Sequence, residues 1–213
     1  MDPISPEVRG YLDDLVPDRP AELARMEEHA REVGFPIVGP ASGQLCYQIS
    51  RMIGARSVFE LGSGFGYSTA WFARAVQENG GGTVHHVVWD EGLSARARRH
   101  LSALGYDGIV RYHVGEAVAA LREAEGPYDV IFNDIDKRMY PDSLPVIEEK
   151  LRPGGVLIID NMLWFGKIFD DADRSEDTEG IRRFTGMITA DRGWTVSLVP
   201  IRDGLIVAYR NPS

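Results

Sequence analysis

Apolar positions along the chain change period twice. After Pro20, Leu23, Met26, Ala30 and Val33 recur at helical spacing, and Leu45, Ile49, Met52 and Ile53 do so again after the segment Pro40-Ala-Ser-Gly43. This spacing predicts two amphipathic helices in an N-terminal extension, residues 1–55. From residue 57 the pattern becomes short β-rich runs: Ser57 to Leu61, Val84 to Trp89, Ile109 to His113, Val130 to Asn133 and Val156 to Asp160. Helical stretches separate them, marked by Thr69, Phe72, Ala73, Val76 and by Leu93, Ala97, Leu101, Leu104. Strand and helix in alternation predict a mainly parallel sheet with helices on both faces.

The period changes again after a helix marked by Ile181, Phe184 and Ile188. Trp194 to Val199 and Leu205 to Tyr209 read as two strands joined through Arg202-Asp203-Gly204, a short connection that suits an antiparallel hairpin. The expectation is an α/β, Rossmann-like sheet of seven strands, with residues 56–213 forming one core behind the extension. A ligand in such a sheet sits at the carboxyl ends of the strands, near the switch in strand order.

Composition narrows the partners. The 213 residues carry 23 Lys plus Arg against 32 Asp plus Glu, a formal charge of −9. A surface of that sign repels phosphate backbones and anionic lipid, so nucleic acid and membrane are not expected partners. The start Met1-Asp2-Pro3-Ile4 lacks a basic region before an apolar stretch, and no apolar run approaches the roughly 18 residues of a membrane span, which predicts a cytoplasmic protein. The lone Cys46 fits a reducing compartment, excludes a cysteine-based zinc cluster, and reads as a small buried apolar residue.

The segment Glu60-Leu-Gly62-Ser63-Gly64-Phe-Gly66-Tyr67-Ser68 ends the first strand and opens a helix. Its glycines permit a tight turn and close approach of a ligand to the backbone. The spacing is Gly-x-Gly-x-Gly, not the Gly-x-Gly-x-x-Gly of a dinucleotide site, and Glu60 stands just before the loop. A carboxylate there repels a pyrophosphate but pairs with the ammonium of an amino acid, which favours S-adenosylmethionine over a nicotinamide cofactor.

With this loop, Asn133-Asp134-Ile-Asp136-Lys137 and Pro153-Gly-Gly-Val-Leu-Ile-Ile-Asp160-Asn161-Met-Leu-Trp164-Phe-Gly166 complete a set of motifs in order. Together with Pro36-Ile-Val38-Gly-Pro-Ala-Ser-Gly43-Gln44, they resemble the metal-dependent class I O-methyltransferases of the caffeoyl-CoA and catechol type. The resemblance covers nearly the whole chain and implies a homodimer that methylates a catechol-like or hydroxycinnamoyl-like hydroxyl. It also places Val38, Gly62, Ser63, Gly64, Tyr67, Ser68, Ala117, Asp134 and Asp136 around the cofactor. Its acid for the ribose falls on Val88, so either Asp90 substitutes or Val88 and Trp89 form an apolar cradle and Asp90 caps the next helix.

Asp134 and Asp160-Asn161 end two strands, so their oxygens can converge on a divalent cation, Mg²⁺ or alternatively Ca²⁺ or Mn²⁺. Strand-end Asp and Asn also cap helices and hold turns. Lys137, by resemblance, is the base that takes the acceptor's proton beside Asp134; positive charge nearby and partial burial would ease loss of its own proton. Trp164 is expected at the substrate and Tyr67 at the cofactor, each otherwise a core ring with a polar tip. His85 and His86 have no metal-ligand partners at useful spacing. Asp170, Asp171, Asp173, Glu176, Asp177 and Glu179 read as a solvated loop. The rival readings are a nicotinamide oxidoreductase, opposed by Glu60, and a non-catalytic cofactor-binding module, opposed by Asp134, Lys137, Asp160 and Asn161.

Overall fold

In the computed structural model, which describes residues 4–212, seven strands form one sheet in the order β3-β2-β1-β4-β5-β7-β6. The strands are β1 (Ser57–Leu61), β2 (Thr83–Val88), β3 (Val110–Val114), β4 (Tyr128–Asn133), β5 (Leu151–Ile159), β6 (Trp194–Val199) and β7 (Leu205–Arg210). The first five pair in parallel, and β7 runs antiparallel between β5 and β6. The opening Met1-Asp2-Pro3 lies outside the described residues. Among the described residues no helix is long and apolar enough to cross a membrane.

Alternation along each strand sends neighbours to opposite faces. Val58, Val130, Phe132, Val156 and Ile158 face one core, with α3 (Gly39–Met52), α4 (Tyr67–Glu78) and α5 (Glu91–Ala103). Phe59, Leu61, Ile131, Leu157 and Ile159 face the other, with α6 (Ala117–Glu123), α7 (Tyr140–Lys150) and α8 (Glu176–Ala190). Cys46 is buried in the first core, as expected.

The N-terminal region differs from its sequence reading. Three helices precede β1, not two: α1 (Pro6–Asp14) comes before α2 (Ala21–Val33) and α3. α1 buries no residue, but Val8, Tyr11 and Leu12 recur in it at helical spacing, Ser5 caps it by accepting from the Val8 amide and Pro6 opens it. The Pro40-Ala-Ser-Gly43 segment lies inside α3, where Gly43 lets Trp71 approach: a Cβ there would sit 2.3 Å from Trp71 Nε1. The acidic stretch is only half a loop, because Glu176, Asp177 and Glu179 form the first turn of α8, where negative charge suits the helix dipole.

Strands β1, β2 and β3 extend one way from the middle of the sheet, and β4 returns to the other side of β1. That reversal opens a crevice beyond the carboxyl ends of β1 and β4. Three backbone bonds carry the ladder past the strand ends there: Ser63 N to Val87 O (2.9 Å), Asp134 N to Leu61 O (2.8 Å) and Asp160 N to Asn133 O (3.2 Å).

Candidate active site

A cavity of about 490 Å³ occupies this crevice. Its floor is the glycine loop. Gly62 has φ +85°, and a Cβ on it would lie 2.4 Å from the Asp134 carbonyl oxygen, so only glycine lets the loop after β1 lie against the end of β4. Gly62, Ser63, Gly64, Tyr67 and Ser68 all line the cavity. Tyr67 does so with its ring alone, because its buried hydroxyl donates to Glu27 Oε1 at 2.8 Å, and Glu27 in turn accepts from Arg19 at 2.7 and 3.1 Å.

Glu60 is not in the cavity wall. Its carboxylate is fully buried beneath the loop, and neither oxygen meets a donor in hydrogen-bonding geometry. Burial outweighs the nearby hydroxyls of Thr69, Ser68 and Ser63 and pushes the carboxyl up to about 7. A buried acid without a partner behind Ser63 and Ser68 is a place where a cationic group would fit.

Val38, Val88, Trp89 and Ala117, expected around the cofactor, line the wall. Asp90 does not. Its Oδ1 accepts from the Leu93 amide at 2.7 Å and caps α5, so the chain's turn after β2 directs this acid to the helix and away from the cavity. Gly115 and Glu116, which sequence reasoning missed, line the wall beside Ala117. Glu116 caps α6 through the amides of Val118 (2.8 Å) and Ala119 (2.6 Å). Its position before a helix was the available signal.

At the other end stand Asp134, Asp136, Lys137, Asn161, Trp164 and Arg202. Lys137 is only 9% exposed, and its Nζ donates to Asp134 Oδ1 at 2.7 Å and to Ile135 O at 3.1 Å. The turn bearing it is seated on α8, where a Cβ on Gly180 would lie 2.4 Å from the Lys137 carbonyl oxygen. Lys137 Nζ stands 5.8 Å from the Trp164 ring centre and 5.4 Å from that of Tyr140. The indole nitrogen of Trp164 is buried without a partner. His86 is buried as well, with Nδ1 3.1 Å from Thr69 Oγ1, and burial holds its ring neutral by lowering it to about 3.

Asp134, Asp160 and Asn161, expected to hold a divalent cation, come near one another, and a polar atom of each is already engaged by another group of the chain. Asp160, 1% exposed, accepts from the Asn161 amide through Oδ1 at 2.7 Å and from Arg202 NH1 through Oδ2 at 3.1 Å. Asp134 is paired with Lys137, and Asn161 Nδ2 donates to Asp203 Oδ2 at 3.0 Å. Burial and the Asp134 charge push Asp160 up, while Arg202 and Lys137 pull it back. Among the described residues no group of three His, Cys, Asp or Glu is placed to hold a metal. With Arg202 on Asp160, the donor set does not fit a divalent ion. Arg202 and Asp203 were legible in the sequence only as a hairpin connection.

A doubly wound sheet of this strand order, with a glycine loop after β1 and an antiparallel final pair, defines the Rossmann-like methyltransferase fold. The TomG O-methyltransferase of Streptomyces achromogenes, involved in tomaymycin synthesis and solved with S-adenosylmethionine, superposes with a TM-score of 0.86 at 26% identity, covering 97% of this chain and 96% of that one. An O-methyltransferase of Bacillus cereus, solved with S-adenosylhomocysteine, gives 0.87 at 27% identity, covering 96% and 97%. The chain belongs to the O-methyltransferase family, whose profile matches residues 19–211. A catechol O-methyltransferase of Niastella koreensis is 30% identical over 187 residues, spanning 85% of this chain and 84% of that protein.

Proposed function

We propose that this O-methyltransferase moves a methyl group from S-adenosylmethionine to a hydroxyl of a small catechol-like or hydroxycinnamoyl-like phenol, with Lys137 taking the hydroxyl proton. The observation that carries the reading is Lys137, nearly buried, with its Nζ on Asp134 where the glycine-loop cavity meets Trp164. The catechol O-methyltransferase relative supports the acceptor class.

The cofactor, when bound, supplies an electrophilic methyl on a positive sulfonium. The chain does the rest. Gly62, Ser63 and Gly64 offer a backbone that a ligand can approach closely, the buried Glu60 carboxylate supplies counter-charge behind Ser63 and Ser68, and Val88 with Trp89 forms an apolar cradle for the nucleoside. Trp164 walls the acceptor side, and Lys137 holds the acceptor hydroxyl. As the oxygen forms its bond to the methyl carbon, the carbon–sulfur bond breaks and its electron pair stays on sulfur. Opposite charges vanish in that step, which a water-poor pocket favours, and alignment is the pocket's main further contribution. No step of this reading runs through a divalent cation. A homodimer and a cytoplasmic location complete the proposal; sedimentation tests the first.

The test pairs binding with turnover. S-adenosylhomocysteine raises the melting temperature and NADH does not, because a ligand that binds only the folded form stabilises it. A screen over catechols, hydroxycinnamoyl esters and polyketide-like phenols then yields a methyl ether. Stabilisation by NADH alone would overturn the cofactor reading, and methylation confined to non-phenolic hydroxyls would overturn the acceptor class.

A further inference from the structure

Arg202 stands in the turn between β6 and β7 with φ +52°, in the left-handed region that residues with a Cβ rarely adopt. The turn holds it there by two anchors. Gly204, with φ +81°, lies so close to Leu163 that a Cβ would meet its Cγ at 2.6 Å. Asp203, 2% exposed, accepts from Phe165 N at 2.6 Å and from Asn161 Nδ2 at 3.0 Å. The result is a guanidinium that lines the cavity while NH1 donates to the buried Asp160 at 3.1 Å.

Two acids of the site are already paired within the chain, Asp134 with Lys137 and Asp160 with Arg202. A divalent cation on the Asp160 oxygens would sit within a few ångströms of a guanidinium, a permanent cation, and would have to displace it.

Building on the proposed methyl transfer, we infer that Arg202 takes the place of a metal: it stands on Asp160, faces the acceptor, and stabilises the oxygen that develops negative charge, so that transfer needs no divalent ion. The planar guanidinium presents parallel N–H donors, a geometry matched to the paired oxygens of a vicinal diol. Donors fixed in advance where charge develops are the main electrostatic device of such sites.

The test reads metal binding apart from turnover. Mn²⁺ is titrated into wild type, Arg202→Gly and Arg202→Lys, and the free-ion signal is followed by electron paramagnetic resonance. Glycine accepts φ +52°, so the first variant keeps the turn. Wild type and Arg202→Lys leave the Mn²⁺ signal free, and Arg202→Gly, with Asp160 unpaired, takes up one ion. Wild-type turnover is unchanged by EDTA, whereas Arg202→Gly loses roughly 10²-fold, the usual worth of one oxyanion donor. One bound Mn²⁺ per wild-type chain, or loss of wild-type turnover in EDTA, would overturn the inference. The Mn²⁺ titration decides it even if no phenol proves to be a substrate.

Discussion

Two side chains carry separable predictions at the residue scale. Replacing Lys137 with Met keeps the stem and removes the proton acceptor, so turnover should fall by roughly 10² to 10⁴, the worth of a positioned base, with cofactor affinity little changed. Wild-type turnover in Lys137→Met at neutral pH would reduce the lysine to a partner of Asp134. Glu60 is protonated in the free protein up to about 7, against an ordinary value of 4.5. A folded value above the unfolded one contributes stability fully present below 4.5 and lost as pH rises through about 7, above which the buried charge costs about 3 kcal/mol. Glu60→Gln should therefore melt higher than wild type at pH 8 but not at pH 4. It should also lose the rise in S-adenosylhomocysteine affinity expected of wild type as pH climbs through 7. Matching pH profiles, by melting and calorimetry, would deny Glu60 both roles. Glu60, Asp134 and Lys137 were legible because each sits at a strand end beside a recognisable motif. Arg202 was not, because its meeting with Asp160 depends on β7 pairing with β5 across 42 positions of sequence.

Elements decide where such residues point. Asp90 shows a local signal competing with an expected functional one: it precedes α5, and its carboxylate caps that helix instead of lining the cavity. Asp90→Ala should cost about 1 kcal/mol of stability, the typical worth of an N-cap, while Asp90→Asn, which caps equally well, should cost little. Calorimetry with S-adenosylhomocysteine should give the same affinity for Asp90→Asn as for wild type. A loss of roughly 1 to 3 kcal/mol in the Asn variant would return Asp90 to the ribose. The same logic explains what the pattern missed at the N-terminus. α2 and α3 have buried faces, whereas α1 buries nothing, although Val8, Tyr11 and Leu12 at helical spacing, a cap and a proline all mark it. At α8, the acidic run looked like loop because its charge lies in the first turn, where solvent and the helix dipole both accept it.

For the whole molecule, the switch in strand order brings everything together. Alternating strands and helices announced the parallel sheet, and the hairpin pattern announced its antiparallel edge, because period and turn chemistry are local properties. What they could not give was adjacency. β4 beside β1 sets Asp134 against Gly62, and β7 beside β5 carries Arg202 to Asp160. Mass spectrometry of a catechol incubated with the protein and S-adenosylmethionine tests whether this crevice transfers a methyl group to a phenolic oxygen. A monomethyl ether and S-adenosylhomocysteine are expected in equal amounts. A protein that binds S-adenosylhomocysteine yet yields no methyl ether from catechols or hydroxycinnamoyl esters would contradict that transfer.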